Sequence, residues 1–208
     1  MRYNQIRECD IANGEGIGVA LFVQGCHFKC KNCFNSETWD FNGGKEWTPE
    51  VKEKFLELVD RPYINRVSIL GGEPLANENV HDVLNLVSEI NGRYNTPQHI
   101  VCKDTTDHNI LHEKDNQIYI LLSDKKIWIY SGFTFEQIMY PVVTSDWNPE
   151  RDEIIQERKN ILSKCDVLVD GRFEEDKKDL SLRFRGSSNQ RLIDLKETFR
   201  KGEIVLWK

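Results

Sequence analysis

Three cysteines in one short loop are the residues of this chain best suited to chemistry. Cys26, Cys30 and Cys33 follow the spacing CxxxCxxC in the run GCHFKCKNCFN. A closed structural zinc site or a fully ligated 4Fe-4S cube takes a fourth thiolate or imidazole. An iron-sulfur cube held by only three thiolates keeps one iron free to bind a small molecule. The loop therefore predicts an iron-sulfur centre that takes part in a reaction.

The alternative for this loop is a structural zinc site with His27 as the fourth ligand. His27 directly follows Cys26, which strains a shared tetrahedral site, and the chain has no second cysteine pair. The three other cysteines are isolated in the sequence, and we interpret them as small buried or neutral residues rather than ligands. They are Cys9, Cys102 and Cys165.

A glycine turn forms the second candidate site. The run Gly71-Gly72-Glu73-Pro74 directly follows the apolar residues 67–70, just as the cysteine loop follows the apolar residues 18–23. Both apolar runs are short and β-branched, which predicts buried strands. Since ligands bind at the carboxyl ends of parallel strands, we expect the two loops to lie at one edge of a sheet.

Helical patterns alternate with these strands. Helices are predicted from Thr48 and Pro49, across residues 80–90 with Gly92 as the stop, from Thr134, and around residues 154–162. Further strands are predicted at residues 118–122, 127–130 and 167–169. This alternation predicts an α/β fold with a parallel sheet.

Composition excludes several classes of protein. The 208 residues, 39% of them hydrophobic, predict a single domain over residues 1–208. The net charge of −6 gives no basic field for a nucleic acid, so none is expected as a partner. No apolar stretch approaches the length of a membrane span, and no leader precedes the chain, so we expect a cytoplasmic protein with reduced thiols and no membrane contact.

The cysteine loop and the glycine turn together resemble the radical S-adenosylmethionine (SAM) superfamily. The resemblance implies a partial, open (βα) barrel with parallel strands, in which a three-cysteine loop holds a 4Fe-4S cluster and a GGEP-like strand end binds SAM. It makes Cys26, Cys30 and Cys33 the cluster ligands and catalytic residues. The implied SAM contacts are Asn32, Cys33, Phe34, Gly71, Gly72, Glu73 and Asp170.

The rest of the chain resembles one family in particular, the activating proteins of anaerobic ribonucleoside-triphosphate reductase. The matching stretches are residues 10–14, 34–39, 127–132, 167–173, 178–182 and 185–191. The resemblance implies that reductive SAM cleavage gives a 5′-deoxyadenosyl radical, which takes a hydrogen atom from a glycine of the reductase. It further implies the glycyl radical subunit as partner and a low-potential electron donor such as flavodoxin.

Two positions depart from the family pattern, and one segment looks inserted. Asn32 stands where the family tends to have glycine, and asparagine tolerates the same left-handed backbone. Any stacking on adenine would then come from Phe34 or from elsewhere. Glu73 stands where aspartate is common, which we interpret as neutral. Residues 95–124 look inserted, with a polar, weakly periodic decoration at 95–113.

Two rival functions remain open at this point. One is a radical SAM enzyme with a small-molecule substrate, similar to 7-carboxy-7-deazaguanine synthase, which also has a turn like residues 14–16. The other is a non-catalytic iron-sulfur or zinc module. The polar run 185–191 favours the activating family, and Asp170, Arg185 and Asn189 are candidates for binding the cofactor or the incoming glycine loop.

Overall fold

The computed structural model describes residues 1–95, 98–100, 110–114, 117–120, 125–141 and 148–208. The strands are β1 (Arg2–Asp10), β2 (Gly18–Val23), β3 (Lys45–Glu46), β4 (Arg66–Gly71), β5 (Gln98–Ile100), β6 (Ile110–Lys114), β7 (Gln117–Ile120), β8 (Lys126–Ser131), β9 (Val167–Asp170) and β10 (Arg191–Asp194). The α-helices are α1 (Pro49–Val59), α2 (Asn77–Ile90), α3 (Phe135–Met139), α4 (Pro149–Lys164) and α5 (Leu195–Lys201).

The main sheet has the strand order β10-β9-β8-β4-β2-β1-β3. Its four central strands, β9, β8, β4 and β2, are parallel, whereas β1, β3 and β10 add antiparallel edges. The predicted α/β class with parallel strands is therefore confirmed, and the sheet is open. Val23 pairs with Gly71, and Ser131 pairs with Asp170, so the four parallel strands end at one edge.

The two faces of the parallel strands have different neighbours. Alternate residues such as Val19, Leu21 and Ile69 pack into the main core with the helices, and all three are fully buried. Their neighbours Phe22 and Leu70 point to the opposite face, where they line a cavity. Since successive side chains in a strand alternate between faces, one short apolar run supplies both the helix-packed core and the floor of the cavity.

The predicted helix starts are confirmed at Thr48 and Thr134. The Thr48 hydroxyl accepts a hydrogen bond from the Val51 amide, and Pro49 follows as the first helical residue. Thr134 and Gln137 form a capping box at the start of α3. The amphipathic stretch at 154–162 lies in α4, where Ile161 and Leu162 are buried.

Gly92 does not stop the second helix as predicted. The chain continues through Asn91–Asn95 as one π-helical turn. The side-chain amide of Asn91 donates to the carbonyl of Val87 in α2 at 3.0 Å and to that of Lys164 at the end of α4 at 2.7 Å, and thereby joins the carboxyl ends of the two helices. Buried Tyr94 anchors the same turn.

The predicted insertion contains a sheet of its own. β5, β7 and β6 form a three-stranded antiparallel sheet separate from the main one. β5 and most of β6 fall inside the stretch 95–113, where no strand was predicted, and the interpretation of this region as an inserted decoration stays a prediction. The strand predicted at 118–122 is confirmed up to Ile120, in this small sheet, and residues 121–124 lie outside the described residues.

Arg66 is a buried cation that holds the loop between β1 and β2. Its guanidinium pairs with Asp10 at 3.0 Å, and both side chains are at most 2% exposed. It also donates to the carbonyls of Asp10, Asn13 and Glu15, at 2.7, 2.6 and 3.2 Å. Because a buried charge requires such partners, this network fixes the loop that carries Ala12 and Asn13 to the cavity wall.

Candidate functional site

The cysteine loop leaves the end of β2 and has a tightly turned backbone. Two non-glycine residues, Lys29 and Asn32, adopt left-handed φ angles of 46° and 55°, which confirms the backbone expected at Asn32. The Cys33 amide donates to the Cys30 carbonyl at 3.1 Å, and the Asn35 amide donates to the Cys33 sulfur at 3.5 Å. The main chain thus shapes the loop before any ligand binds.

All three cysteines line one cavity of about 450 Å³ at the carboxyl edge of the parallel strands. This volume lies in the range of small-molecule and cofactor sites. Of the predicted site residues, those that line the cavity are Cys26, Cys30, Cys33, Phe34, Gly71, Gly72 and Glu73. Asn32 and Asp170 are not among its lining residues, and a cofactor contact by either stays a prediction.

The glycine turn contacts the backbone of the cysteine loop. The Glu73 amide donates to the Gly25 carbonyl at 2.8 Å, and the Gly72 amide donates to the Val23 carbonyl at 2.9 Å. A Cβ at position 72 would lie 2.4 Å from the Gly25 oxygen. Glycine is therefore required at 72 for this close approach of two main chains.

The Glu73 carboxylate links two segments of the site, the glycine turn after β4 and the end of β8. One oxygen accepts from the Leu75 amide and the Ser131 hydroxyl, both at 2.9 Å, and the other accepts from the Gly132 amide at 2.7 Å. Burial raises the pKa of Glu73, while these donors act in the opposite direction. Glu73 therefore holds the ends of β4 and β8 together at the cavity.

Asp170 is buried and joins β9 to its neighbours. Its carboxylate accepts from the Arg191 guanidinium, at 3.0 Å to Nε, and from the Phe135 amide at 2.8 Å. Arg191 also forms a bidentate pair with Glu136, at 2.9 and 2.8 Å. This Asp170-Arg191-Glu136 cluster ties β9, β10 and α3 together beside the cavity.

We expect Arg191→Leu to lower the free energy of unfolding by about 3 kcal/mol, because it leaves the buried Asp170 charge without its cation. Glu136→Gln is the matched control: it removes the half-exposed partner of the same guanidinium and should cost about 1 kcal/mol or less. Urea denaturation of both variants measures the difference. Equal losses of unfolding free energy in the two variants would mean that the buried Asp170 charge is not stabilised by Arg191.

The same cluster predicts a pH dependence of stability. Hydrogen bonding to Arg191 lowers the pKa of Glu136 from 4.5 to about 2. A folded-state pKa below the unfolded value gives stability that is present above pH 4.5 and is lost as the pH falls toward 2. Glu136→Gln should therefore lose less stability than the wild type over this range in urea titrations. An equal loss of stability with falling pH in the variant and the wild type would contradict the Glu136–Arg191 pairing.

The thiols of the loop are partly desolvated. Burial raises the pKa of Cys26, and the amides of Phe28 and Lys29 oppose the rise. Burial likewise raises the pKa of Cys30, with a further rise from Cys33, and the amide of Phe173 and the guanidinium of Arg172 oppose it. A bound metal stabilises the thiolate form directly, so metal binding by this loop releases protons.

The geometry favours a cluster over the zinc alternative. His27 is turned to the surface, where its ring bonds to Glu78 at 2.9 Å and stacks on Phe41 with ring centres 4.4 Å apart. Among the described residues, no group of three or more His, Cys, Asp or Glu is arranged to hold a single metal ion. The three cysteines line one cavity and no described histidine is among its lining residues, so the donor set at the cavity is the three-cysteine set that an iron-sulfur cluster can take.

Several residues of the site were not predicted from the sequence. Trp39 and Tyr130 line the cavity, as do Arg172 and Phe173 after β9. Phe173 packs on Phe34 with ring centres 5.2 Å apart. The sequence signals for Arg172 and Phe173 were their place directly after an apolar strand and within the family-matching stretch 167–173, and neither signal assigned them to the site. Arg185 lines the cavity as well, whereas the side chain of Asn189 donates to the Arg172 carbonyl at 2.8 Å.

Comparison with known proteins identifies the family. The family profile described as a 4Fe-4S single cluster domain matches residues 12–122 and 112–193. A Salmonella typhi protein is 32% identical over 192 residues, which cover 91% of this chain and 96% of the relative. The chain belongs to the anaerobic ribonucleoside-triphosphate reductase-activating proteins.

Other relatives of that name show the same extent of similarity. The Escherichia coli K12 activating protein is 31% identical, over 91% of this chain and 96% of its own length. The activating protein of Enterobacteria phage T4 is 29% identical, over 92% of this chain and 93% of its own. The similarity thus spans the cysteine loop, the glycine turn and the C-terminal segment together.

No helix in the described part of the chain is long and apolar enough to cross a membrane.

Proposed function

We propose that this protein activates an anaerobic ribonucleoside-triphosphate reductase by forming a glycyl radical on it. The observation that carries the proposal is the cavity in which Cys26, Cys30 and Cys33 face the glycine turn at the ends of adjacent parallel strands. The names of the relatives supply the partner, since each is an anaerobic ribonucleoside-triphosphate reductase-activating protein. The glycyl radical subunit is the expected protein substrate.

In this proposal, Cys26, Cys30 and Cys33 hold a 4Fe-4S cluster, and the turn at Gly71–Glu73 contributes to the SAM site. The bound cluster and SAM together supply the one-electron cleavage that yields a 5′-deoxyadenosyl radical. A low-potential donor such as flavodoxin provides the electron. The open sheet with helices on one face and the cavity on the other fits a partial (βα) barrel.

The side chains around the cavity position the glycine turn and shield the site from water. Glu73 fixes the glycine turn against the end of β8, so the cavity wall is set before ligands bind. Phe22 and Leu70 form an apolar floor that excludes water from a reactive radical. The C-terminal segment adds Arg185 and Gly186 to the lining of the cavity, and we place the entry of the reductase loop beside this segment.

Product analysis tests the enzymatic part of this proposal. The protein is reconstituted anaerobically with iron and sulfide, reduced with dithionite and incubated with SAM. We expect methionine and 5′-deoxyadenosine in equal amounts. Bound iron with neither product would indicate a non-catalytic metal module instead.

A further inference from the structure

Arg172 lies beside the cysteine loop at the end of β9. It lines the same cavity as the three cysteines, and its guanidinium lies 4.3 Å from the centre of the Phe28 ring. Phe28 is a residue of the cysteine loop itself, between Cys26 and Cys30. A guanidinium over an aromatic face is held by a cation–π attraction. The cation is thus attached to the loop that would carry the cluster.

Both ends of this contact are fixed. The Phe28 ring meets Phe133 edge-on, with ring centres 4.8 Å apart, and it occupies the space beside Gly132, where a Cβ would lie 2.3 Å from the ring. The main chain of Arg172 is held by the bond from Asn189 to its carbonyl. Contacts at the main chain and at the guanidinium thus place the Arg172 charge against the cysteine loop.

The Arg172 charge is not neutralised by a neighbouring carboxylate. Within the described ranges, Arg172 forms no ion pair, although acidic residues lie on either side of it in the chain. Asp170 is paired with Arg191, and Glu174 is paired with Lys177 at 2.7 Å. A cluster held by three thiolates carries net negative charge that increases on reduction, and an unpaired cation nearby favours the reduced form.

We propose that Arg172 raises the reduction potential of the cluster, acting as a positioning and tuning residue that contacts the cysteine loop through Phe28. This inference rests on the proposed 4Fe-4S site at Cys26, Cys30 and Cys33. It assigns to Arg172 a role in electron entry that is separate from SAM binding. The one electron comes from an external low-potential reductant and converts the oxidised cluster to its reduced form.

The test is a redox titration of the cluster-loaded protein with dithionite, without SAM, followed by visible absorbance and paramagnetic resonance. Arg172→Gln removes the charge, Arg172→Lys keeps it without the planar stacking, and Arg200→Gln removes a charge from α5, where Arg200 pairs with Glu197. We expect Arg172→Gln to lower the midpoint reduction potential of the cluster. At the potential that half-reduces the wild-type cluster, the ratio of reduced to oxidised cluster should fall about tenfold in this variant, which corresponds to a shift of about 59 mV for one electron. Arg172→Lys should retain most of the potential, and Arg200→Gln should match the wild type.

A midpoint potential is independent of how many chains carry a cluster, so partial iron loss does not obscure the result. Arg172→Met provides a second neutral side chain and should repeat the Arg172→Gln shift. An unchanged potential in both neutral variants would overturn the inference and leave the proposed function intact. Weaker SAM binding at unchanged potential would also overturn it, because the guanidinium would then serve the SAM carboxylate. A wild-type protein that bound no reducible cluster would overturn both.

Discussion

Alanine at any one of Cys26, Cys30 and Cys33 is expected to abolish the cluster and, with it, SAM cleavage. A site with three protein ligands has no spare thiolate, and the described residues offer no imidazole in its place, since His27 bonds to Glu78 at the surface. Iron and sulfide content after anaerobic reconstitution, together with 5′-deoxyadenosine yield, measures the loss. Both should fall to the level of protein without added iron.

The isolated cysteines provide the controls. Cys9 is exposed on β1, so Cys9→Ala should keep the cluster and the stability of the wild type. Cys165 is buried in the core, and Cys165→Ala should keep the cluster while costing about 1 kcal/mol. Cys102 lies outside the described residues, and its dispensability stays a prediction. A variant lacking these three cysteines that assembled no cluster would contradict the ligand assignment.

Gly72→Val should disrupt the cluster site as well as the SAM site. Since a Cβ at 72 would lie 2.4 Å from the Gly25 oxygen, the side chain must push the glycine turn away from the cysteine loop. Overpacking of this kind costs ~1–3 kcal/mol, and here the strain falls on the two loops that form the site. We expect lower iron content and SAM binding weakened about tenfold or more, measured by anaerobic titration.

Gly92→Ala is the matched control for this substitution, because a Cβ at 92 meets nothing within 4 Å. It should bind iron and SAM as the wild type does. Full iron content with weakened SAM binding in Gly72→Val would show that the substitution affects the SAM site alone, and it would contradict the expected disruption of the cluster site.

The sequence predicted the elements that have a clear local signal. The strands at 18–23 and 167–169 follow from short continuous apolar runs, and the helix start at Thr48 follows from its capping residues. β1 was not predicted, because its run RYNQIRECD is largely polar and pairs along an edge of the sheet. The strands β3 and β10 are only two and four residues long.

The cysteine ligands could be predicted because their spacing is local, whereas the walls of the cavity depend on distant pairings. Arg66 fixes the β1–β2 loop through contacts with Asp10 and Asn13, which lie about 50 residues earlier in the chain. No sequence pattern around Arg66 predicts these contacts. Arg172 reaches Phe28 only because β9 and β2 end at the same edge of the sheet. Asp170 was predicted as a cofactor contact, yet its carboxylate is taken by Arg191 and Phe135.

Paramagnetic resonance of the reductase tests the central claim most directly. The cluster-loaded protein is mixed anaerobically with a reductant, SAM and its cognate reductase, with the Cys30→Ala variant as a negative control. We expect a glycyl radical doublet on the reductase that appears only with the wild-type activating protein. Robust formation of 5′-deoxyadenosine with no glycyl radical on the cognate reductase would contradict this claim and would favour a small-molecule substrate.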